Sequence, residues 1–203
     1  MAIVRAQSPP TSGPRAIGAA LRDLRGTKAP MDELLGGAEI NLSEPLPIFA
    51  LNLDDVIGPG SLEKATRVGW RYLLAGADDG QVGFADVKET AGGASKFTGL
   101  ARNRNADRLM QAVHLAQRVA KELPGDCEAR ILDVPALNIS AVWLAGPQPT
   151  FIPYIDPERF TKDGIRVEPE FLKELVRSAE VMRQHLKEFP QEPTPRRPTL
   201  LQE

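Results

Sequence analysis

The stretch Glu128–Gly146 reads EARILDVPALNISAVWLAG and decides the fold. Its second part alternates two sets of side chains, which are Leu137, Ile139, Ala141 and Trp143 against Asn138, Ser140, Val142 and Leu144. This period of two is typical of a β-strand with one buried face. Pro135 cannot donate a backbone hydrogen bond, so it separates two strands at a bulge, an edge or a tight corner. The stretch therefore predicts a sheet, and it contains no recognisable catalytic motif.

Further elements are predicted on both sides of these strands. Upstream, WRYLLAG and VGFADV alternate in the same way and are joined at Asp79-Gly80, a common hairpin dipeptide. Asn105 is a favourable N-cap for a long helix that ends near Pro124. Pro169 marks the first turn of a final helix with an apolar stripe along one side.

This order of elements predicts an α+β fold. Short turns join successive strands, which favours an antiparallel or mixed sheet over a doubly wound parallel sheet. We expect a sheet of about five strands with two main helices packed on one of its faces, and an extended N-terminal arm.

The chain of 203 residues predicts one domain with additions at both ends. Residues 1–45 are rich in Ala, Gly, Pro and Arg and are interpreted as a basic arm with short helices. Residues 46–189 are interpreted as a single α+β domain, and residues 190–203 as a Pro-rich flexible tail. Up to Lys28 the arm carries a net charge of +4, whereas the rest of the chain carries −6.

The overall composition limits the classes of function. A net charge of −2 disfavours general nucleic-acid binding, which depends on many phosphate contacts. The single cysteine, Cys127, cannot form an internal disulfide, which favours a reducing compartment. No apolar run reaches the ~20 residues that span a bilayer. We therefore predict a cytoplasmic protein without membrane contact.

The residue types that most often carry catalysis are few. His114 is expected on the polar side of the long helix and His185 at the margin of the last helix's apolar stripe, and neither has the spacing of a metal site. Cys127 has no signature of a nucleophile around it and is expected to be an unreactive thiol. We predict no catalytic residue, no metal and no cofactor, while catalytic activity as such stays open.

A glycine-rich segment before the long helix is the candidate for an anion site. Lys96, Arg102 and Arg104 supply positive charge there, and the helix N-terminus supplies free N–H groups. The spacing matches neither the Walker motif nor a dinucleotide-binding motif, and the simpler interpretation is a mobile surface loop. This segment supports the alternative function, a small enzyme or a binding protein for anionic or phosphorylated ligands.

The basic arm is the preferred candidate for function. Its few charges and its lack of aromatic residues make nucleic acid an unlikely partner and favour docking on protein. The predicted docking face consists of Arg15, Leu21, Arg22, Leu24 and Arg25. We therefore predict an interaction protein without catalytic activity, such as an adaptor, a chaperone-like protein or a structural subunit. Its partner would be another protein, or further copies of itself in a homo-oligomer.

Overall fold

A mixed sheet of ten strands forms the centre of the structure. The structure is a computed structural model, and it describes residues 3–4, 9–24, 41–75, 82–155 and 164–188. The strands are β1 (Ile3–Val4), β2 (Asn41–Leu42), β3 (Leu46–Ala50), β4 (Thr66–Ala75), β5 (Val82–Glu89), β6 (Ser95–Ala101), β7 (Cys127–Val134), β8 (Ile139–Ala145), β9 (Thr150–Ile155) and β10 (Arg166–Val167). Within the described ranges the α-helices are α1 (Gly13–Leu24), α2 (Arg104–Val119) and α3 (Glu168–Glu188). None of these helices is both long enough and apolar enough to cross a membrane.

Two antiparallel meanders meet at a parallel pair of strands in the middle of the sheet. The order across the sheet is β10-β9-β8-β7-β3-β4-β5-β6. β3 runs parallel to β7, with Ile48 opposite Ile131, and the other neighbours in this order are antiparallel. The short strands β1 and β2 pair with β7 and β4. The first meander consists of β3–β6 and is followed by α2, and the second consists of β7–β10 and is followed by α3.

The two longest helices lie on opposite faces of the sheet. On β8, Ala141 and Trp143 belong to the apolar cluster that includes α3, whereas Val142 and Leu144 belong to the cluster that includes α2. Successive side chains of a strand point to opposite faces, so the two helices cover different faces. A strand buried on both faces needs apolar residues at nearly every position, which explains the sequence of β8.

The helix α1 lies on the same face as α3, over the other half of the sheet. Ile17 and Leu21 are buried in a cluster with Trp70 of β4. Trp70 lies opposite Pro47 of β3, and this face of β3 also carries Phe49, which packs against the α3 cluster. The helix therefore closes the part of this face that α3 leaves uncovered.

Polar contacts hold the beginning of α1 in place. The backbone N–H of Ser95 donates to Ser12 Oγ (2.9 Å), and the Ser12 hydroxyl donates to Ser95 Oγ (2.9 Å). The Tyr72 hydroxyl donates to the carbonyl of Pro10 (3.4 Å). It also lies so close to Gly13 that a methyl group at this position would overlap it. Close packing on Tyr72 is thus the reason for a glycine at the start of the helix.

The predicted fold class is wrong in the number of strands, in the number of helices and in the faces of the sheet that the helices cover. The sheet has ten strands and not about five, and three α-helices in the described ranges replace the two expected. The helices cover both faces of the sheet and not one. α1 comes from the predicted arm of residues 1–45, yet its apolar side packs on the sheet. The predicted tail, residues 190–203, lies outside the described residues.

Individual elements follow the sequence pattern more closely. The predicted hairpin is confirmed, since β4 pairs with β5, although the turn itself lies outside the described residues. The N-cap of α2 is Asn103 and not Asn105, because the Asn103 side chain accepts from the N–H groups of Asn105 (3.0 Å) and Ala106 (3.3 Å). Part of the predicted surface loop is the strand β6.

Truncating Ile17 tests the packing of α1. Ile17 has no exposed surface, so Ile17→Ala should leave a cavity between α1 and the sheet and lower the free energy of unfolding by about 2–5 kcal/mol. Urea denaturation measures this change. Arg22→Ala, on the exposed side of the same helix, is the control and should change the value by less than about 0.5 kcal/mol. Equal small effects of both variants would contradict the packing.

Candidate functional site

A buried arginine lies on the α2 face of the sheet. Arg71 is opposite Leu46 of β3, and Leu46 packs against the apolar cluster beneath α2. Only 8% of the Arg71 side chain is exposed, compared with 41% for Arg67 on the same strand. A guanidinium group removed from water needs a counter-charge and hydrogen-bond acceptors, because burying a charge alone is costly.

Asp86 supplies both the charge and two of the acceptors. It lies directly opposite Arg71 on β5. Nε and Nη2 of Arg71 donate to Oδ1 and Oδ2 of Asp86, each over 2.8 Å, in the bidentate arrangement that gives the strongest arginine–carboxylate pairs. The guanidinium carbon is also 4.1 Å from the centre of the Phe84 ring, which provides a cation–π contact.

Polar groups of the second meander reach the same guanidinium. Nη1 of Arg71 donates to the Tyr154 hydroxyl (2.6 Å), and Nη2 lies 4.0 Å from Oδ2 of Asp133. Ser140 is opposite Asp133 on β8, and its hydroxyl lies within hydrogen-bonding reach of both Asp133 and Tyr154. Arg71, Asp86, Asp133, Ser140 and Tyr154 are called the arginine cluster below.

The arginine cluster connects the two meanders across the middle of the sheet. Arg71 and Asp86 belong to the first meander, whereas the other three members belong to β7, β8 and β9 of the second. The strands β3, β7 and β8 lie between Arg71 and Tyr154 in the sheet. One long side chain therefore joins strands that share no backbone hydrogen bonds.

Burial controls the protonation of the cluster. Burial raises the pKa of Asp133, and the charge of Arg71 and the Ser140 hydroxyl oppose this only in part. Burial likewise raises the pKa of Tyr154, so its phenol stays protonated at neutral pH. For Arg71, burial alone would lower the pKa, but the hydrogen bond with Asp86 and the neighbouring negative groups raise it by more. Burial thus favours the protonated forms of Asp133 and Tyr154, whereas the pairing with Asp86 favours the charged form of Arg71.

The sequence analysis missed the arginine cluster for a physical reason. The predicted fold had helices on one face of the sheet only. In that fold the water-exposed side of the strands would carry Arg71, Asp86 and Asp133. The helix α2 covers this side instead, so that Arg71 is buried and the two aspartates are partly buried. The available signal was a charged residue within an otherwise apolar strand, as in GWRYLLA and RILDVP. Charges at such positions require buried partners when both faces are covered.

A second partly buried arginine lies on the opposite face, among aromatic rings. The guanidinium carbon of Arg130 is 4.7 Å from the ring centre of Phe49 and 4.9 Å from that of Trp143. Its Nε donates to Oε2 of Glu128 (2.6 Å), two residues away on the same strand. The indole N–H of Trp143 is buried and has no hydrogen-bond partner in the part of the chain that the structure describes. This arrangement pairs the charge of Arg130 within the chain.

The structure does not gather the three residues of the predicted anion site. Lys96 is exposed on β6, opposite Lys88, whereas Arg102 follows the end of that strand and Arg104 begins α2. Lys96 and Arg102 lie six positions apart, which corresponds to about 20 Å of extended chain. The Asn103 side chain already accepts from two N–H groups at the start of α2. The anion site stays a prediction.

The five residues of the predicted docking face divide into two groups. Arg15 and Arg22 are exposed and lie seven residues apart, on one side of α1 and about 10 Å from each other along its axis. Leu21 is buried between α1 and the sheet, in the cluster that contains Trp70, and Leu24 is partly buried against this cluster. Arg25 lies outside the described residues. The outward surface of α1 is therefore charged, whereas its leucines hold it to the sheet.

The histidines and the cysteine lie apart from the arginine cluster in the sequence and in the fold. His114 and His185 are exposed on α2 and α3. Cys127 is buried at the start of β7, where burial and the neighbouring Asp126 raise its pKa and reduce the thiolate fraction. Within the described ranges, no group of three His, Cys, Asp or Glu side chains is placed to hold a metal ion.

The comparisons with known proteins add no function to this geometry. No protein-family model matches the chain, and no curated protein or solved structure is significantly similar to it. The functional argument therefore depends on the residues themselves.

Removing the Arg71 side chain tests whether the cluster holds the sheet together. Arg71→Ala leaves the partly buried Asp86 carboxylate (21% of the side chain is exposed) without its partner, so we expect a loss of about 3–5 kcal/mol in the free energy of unfolding. Arg67→Ala breaks a pair that is exposed to water (3.4 Å to Glu89) and is the control, with an expected loss of at most about 1 kcal/mol. Denaturation in urea measures both values. Similar losses in the two variants would contradict a structural role for Arg71.

Proposed function

We propose that this protein is an interaction protein that binds a protein partner through the outer surface of α1. The observation that carries the proposal is the way α1 is attached. Ile17 and Leu21 fix the helix to the sheet, so that Arg15 and Arg22 are presented together to the outside. A helix already held in place has less conformational entropy to lose when a partner binds it. We call the exposed side of α1 with Arg15 and Arg22 the basic face.

Charge supports an acidic partner for the basic face. The first 28 residues carry a net charge of +4 and the remaining residues carry −6. Surfaces of opposite sign attract and orient each other before contact, which favours association between such regions. A second copy of this chain carries this net negative charge outside its first 28 residues, so we propose self-association as the first case to test.

The edge of the sheet beside α1 is less suited to binding a partner. β6 is the last strand on this side, and an exposed edge strand can pair with a strand from another chain. It carries Lys96, and Thr98 is an extra residue that has no partner in the register with β5. A lysine and a bulge on an edge strand both hinder strand addition. The basic face is therefore the better candidate.

Charge reversal of the basic face tests the proposal without disturbing the core. We expect the full-length chain to show a mass above 22.1 kDa by light scattering after size exclusion, and Arg15→Glu/Arg22→Glu to lower it. Lys173→Glu/Arg177→Glu changes the same number of charges on the exposed side of α3 and should leave the mass unchanged. Salt near 1 M should act like the first variant, because it screens charges beyond ~3 Å.

A second measurement separates self-association from binding to another acidic protein. If the wild-type chain is a monomer at all concentrations, a fluorescent glutamate-rich peptide is titrated into the same three proteins. Weaker peptide binding in Arg15→Glu/Arg22→Glu alone would support an acidic partner. A monomeric chain whose three forms bind the peptide equally would refute the proposal. Deleting residues 1–30 is a poor test, because it also uncovers the apolar surface beneath α1.

A further inference from the structure

The arginine cluster contains two carboxyl groups for one guanidinium. Asp86 makes two hydrogen bonds to Arg71, each 2.8 Å long. Nη2 of Arg71 is 4.0 Å from Oδ2 of Asp133, and Oδ1 of Asp133 is buried with no hydrogen-bond partner among the described residues. If both carboxyl groups were ionised, the cluster would carry an excess negative charge in the interior. The cluster is neutral when Asp86 is ionised and Asp133 holds a proton.

Among the described residues, one positive and one negative group act on the Asp133 carboxyl. Arg71 from β4 is the cation that approaches it, and Asp86 from β5 adds a like charge. Tyr154 from β9 and Ser140 from β8 contribute neutral hydroxyl groups. The buried residues of α2 itself are Ala106, Leu109, Ala112 and Ala116, all of them apolar. The charge of Arg71 is thus the main stabilising influence on an Asp133 carboxylate, and Arg71 is already paired with Asp86.

We propose that Asp133 makes the arginine cluster a proton-sensitive connection between the two meanders, tight when Asp133 is protonated and weakened when it ionises. An ionised Asp133 competes with Asp86 for Arg71 and leaves a buried oxygen without a hydrogen-bond donor. Such an oxygen costs more as an ion than as a neutral group. The ionised state therefore strains the contacts that join β4 to β9.

The direction of the pH dependence follows from the proton count. Burial raises the pKa of Asp133 in the folded chain, whereas an aspartate in the unfolded chain ionises near pH 3.9. The folded chain then binds more protons than the unfolded chain between these two values. The contribution of Asp133 to stability is fully present below about pH 3.9 and is lost as pH rises through its folded value.

The titration of the Asp133 carboxyl carbon, followed by carbon-13 NMR on the full-length protein, tests the proposal directly. We expect its midpoint to lie above about pH 3.9, the ordinary value of an aspartate. In Asp86→Asn the midpoint of Asp133 should move down, because Arg71 then has no competing counter-ion. A midpoint of Asp133 at or below about pH 3.9 in the wild-type chain would overturn the proposal, and this measurement needs no variant to fold.

The pH dependence of unfolding shows whether ionisation weakens the fold. In the wild-type chain, the urea midpoint should fall as pH rises through the titration of Asp133. In Asp133→Asn this fall should be absent. Asp54→Asn is the matched control and should keep that loss. The proposal would be overturned if the curves of urea midpoint against pH run parallel for the wild type, Asp133→Asn and Asp54→Asn. This holds even if the titration midpoint of Asp133 is raised.

Discussion

The salt bridge between Arg71 and Asp86 is the contact on which the middle of the sheet depends. Backbone hydrogen bonds hold each meander together, and in the described part of the chain the ladder that joins the two meanders is the parallel pair β3 and β7, which is matched over three residues. Parallel ladders are slightly less stable per residue than antiparallel ones. Arg71 adds a side-chain connection from β4 to Tyr154 on β9 over this junction. Its charge can remain in the interior because Asp86 binds two of its nitrogen atoms.

The opposite face uses aromatic packing for the same purpose. Phe49 of β3 meets the edge of Trp143 on β8 at 5.8 Å between ring centres, and Phe151 stacks against Phe171 of α3 at 4.2 Å. Arg130 of β7 lies against the first two of these rings. The rings thus link both meanders to α3, while α1 covers the far half of this face. Each face of the sheet is closed by helices, which is why few positions of the central strands remain polar.

This arrangement separates a structural interior from the surface proposed to bind partners. Arg71 and Arg130 are paired within the chain, whereas Arg15 and Arg22 are exposed on a helix that the core holds in place. The apolar side of this helix completes the fold, and its basic face is the surface that we propose for binding. A partner bound there would rest on the meander that contains Arg71.

The local pattern of the sequence was sufficient for most single elements. Alternation in Glu128–Gly146 predicted two strands, Asp79-Gly80 predicted the hairpin, and Pro169 predicted the start of α3, because each depends on neighbours in the chain. The apolar side of α1 was also visible, but the sequence could not show that its target is the chain's own sheet. The strand count and the two helix layers depend on which distant segments pair. Only the tertiary structure decided that α2 covers the side of Arg71, Asp86 and Asp133, and burial then turned three separate charges into one cluster.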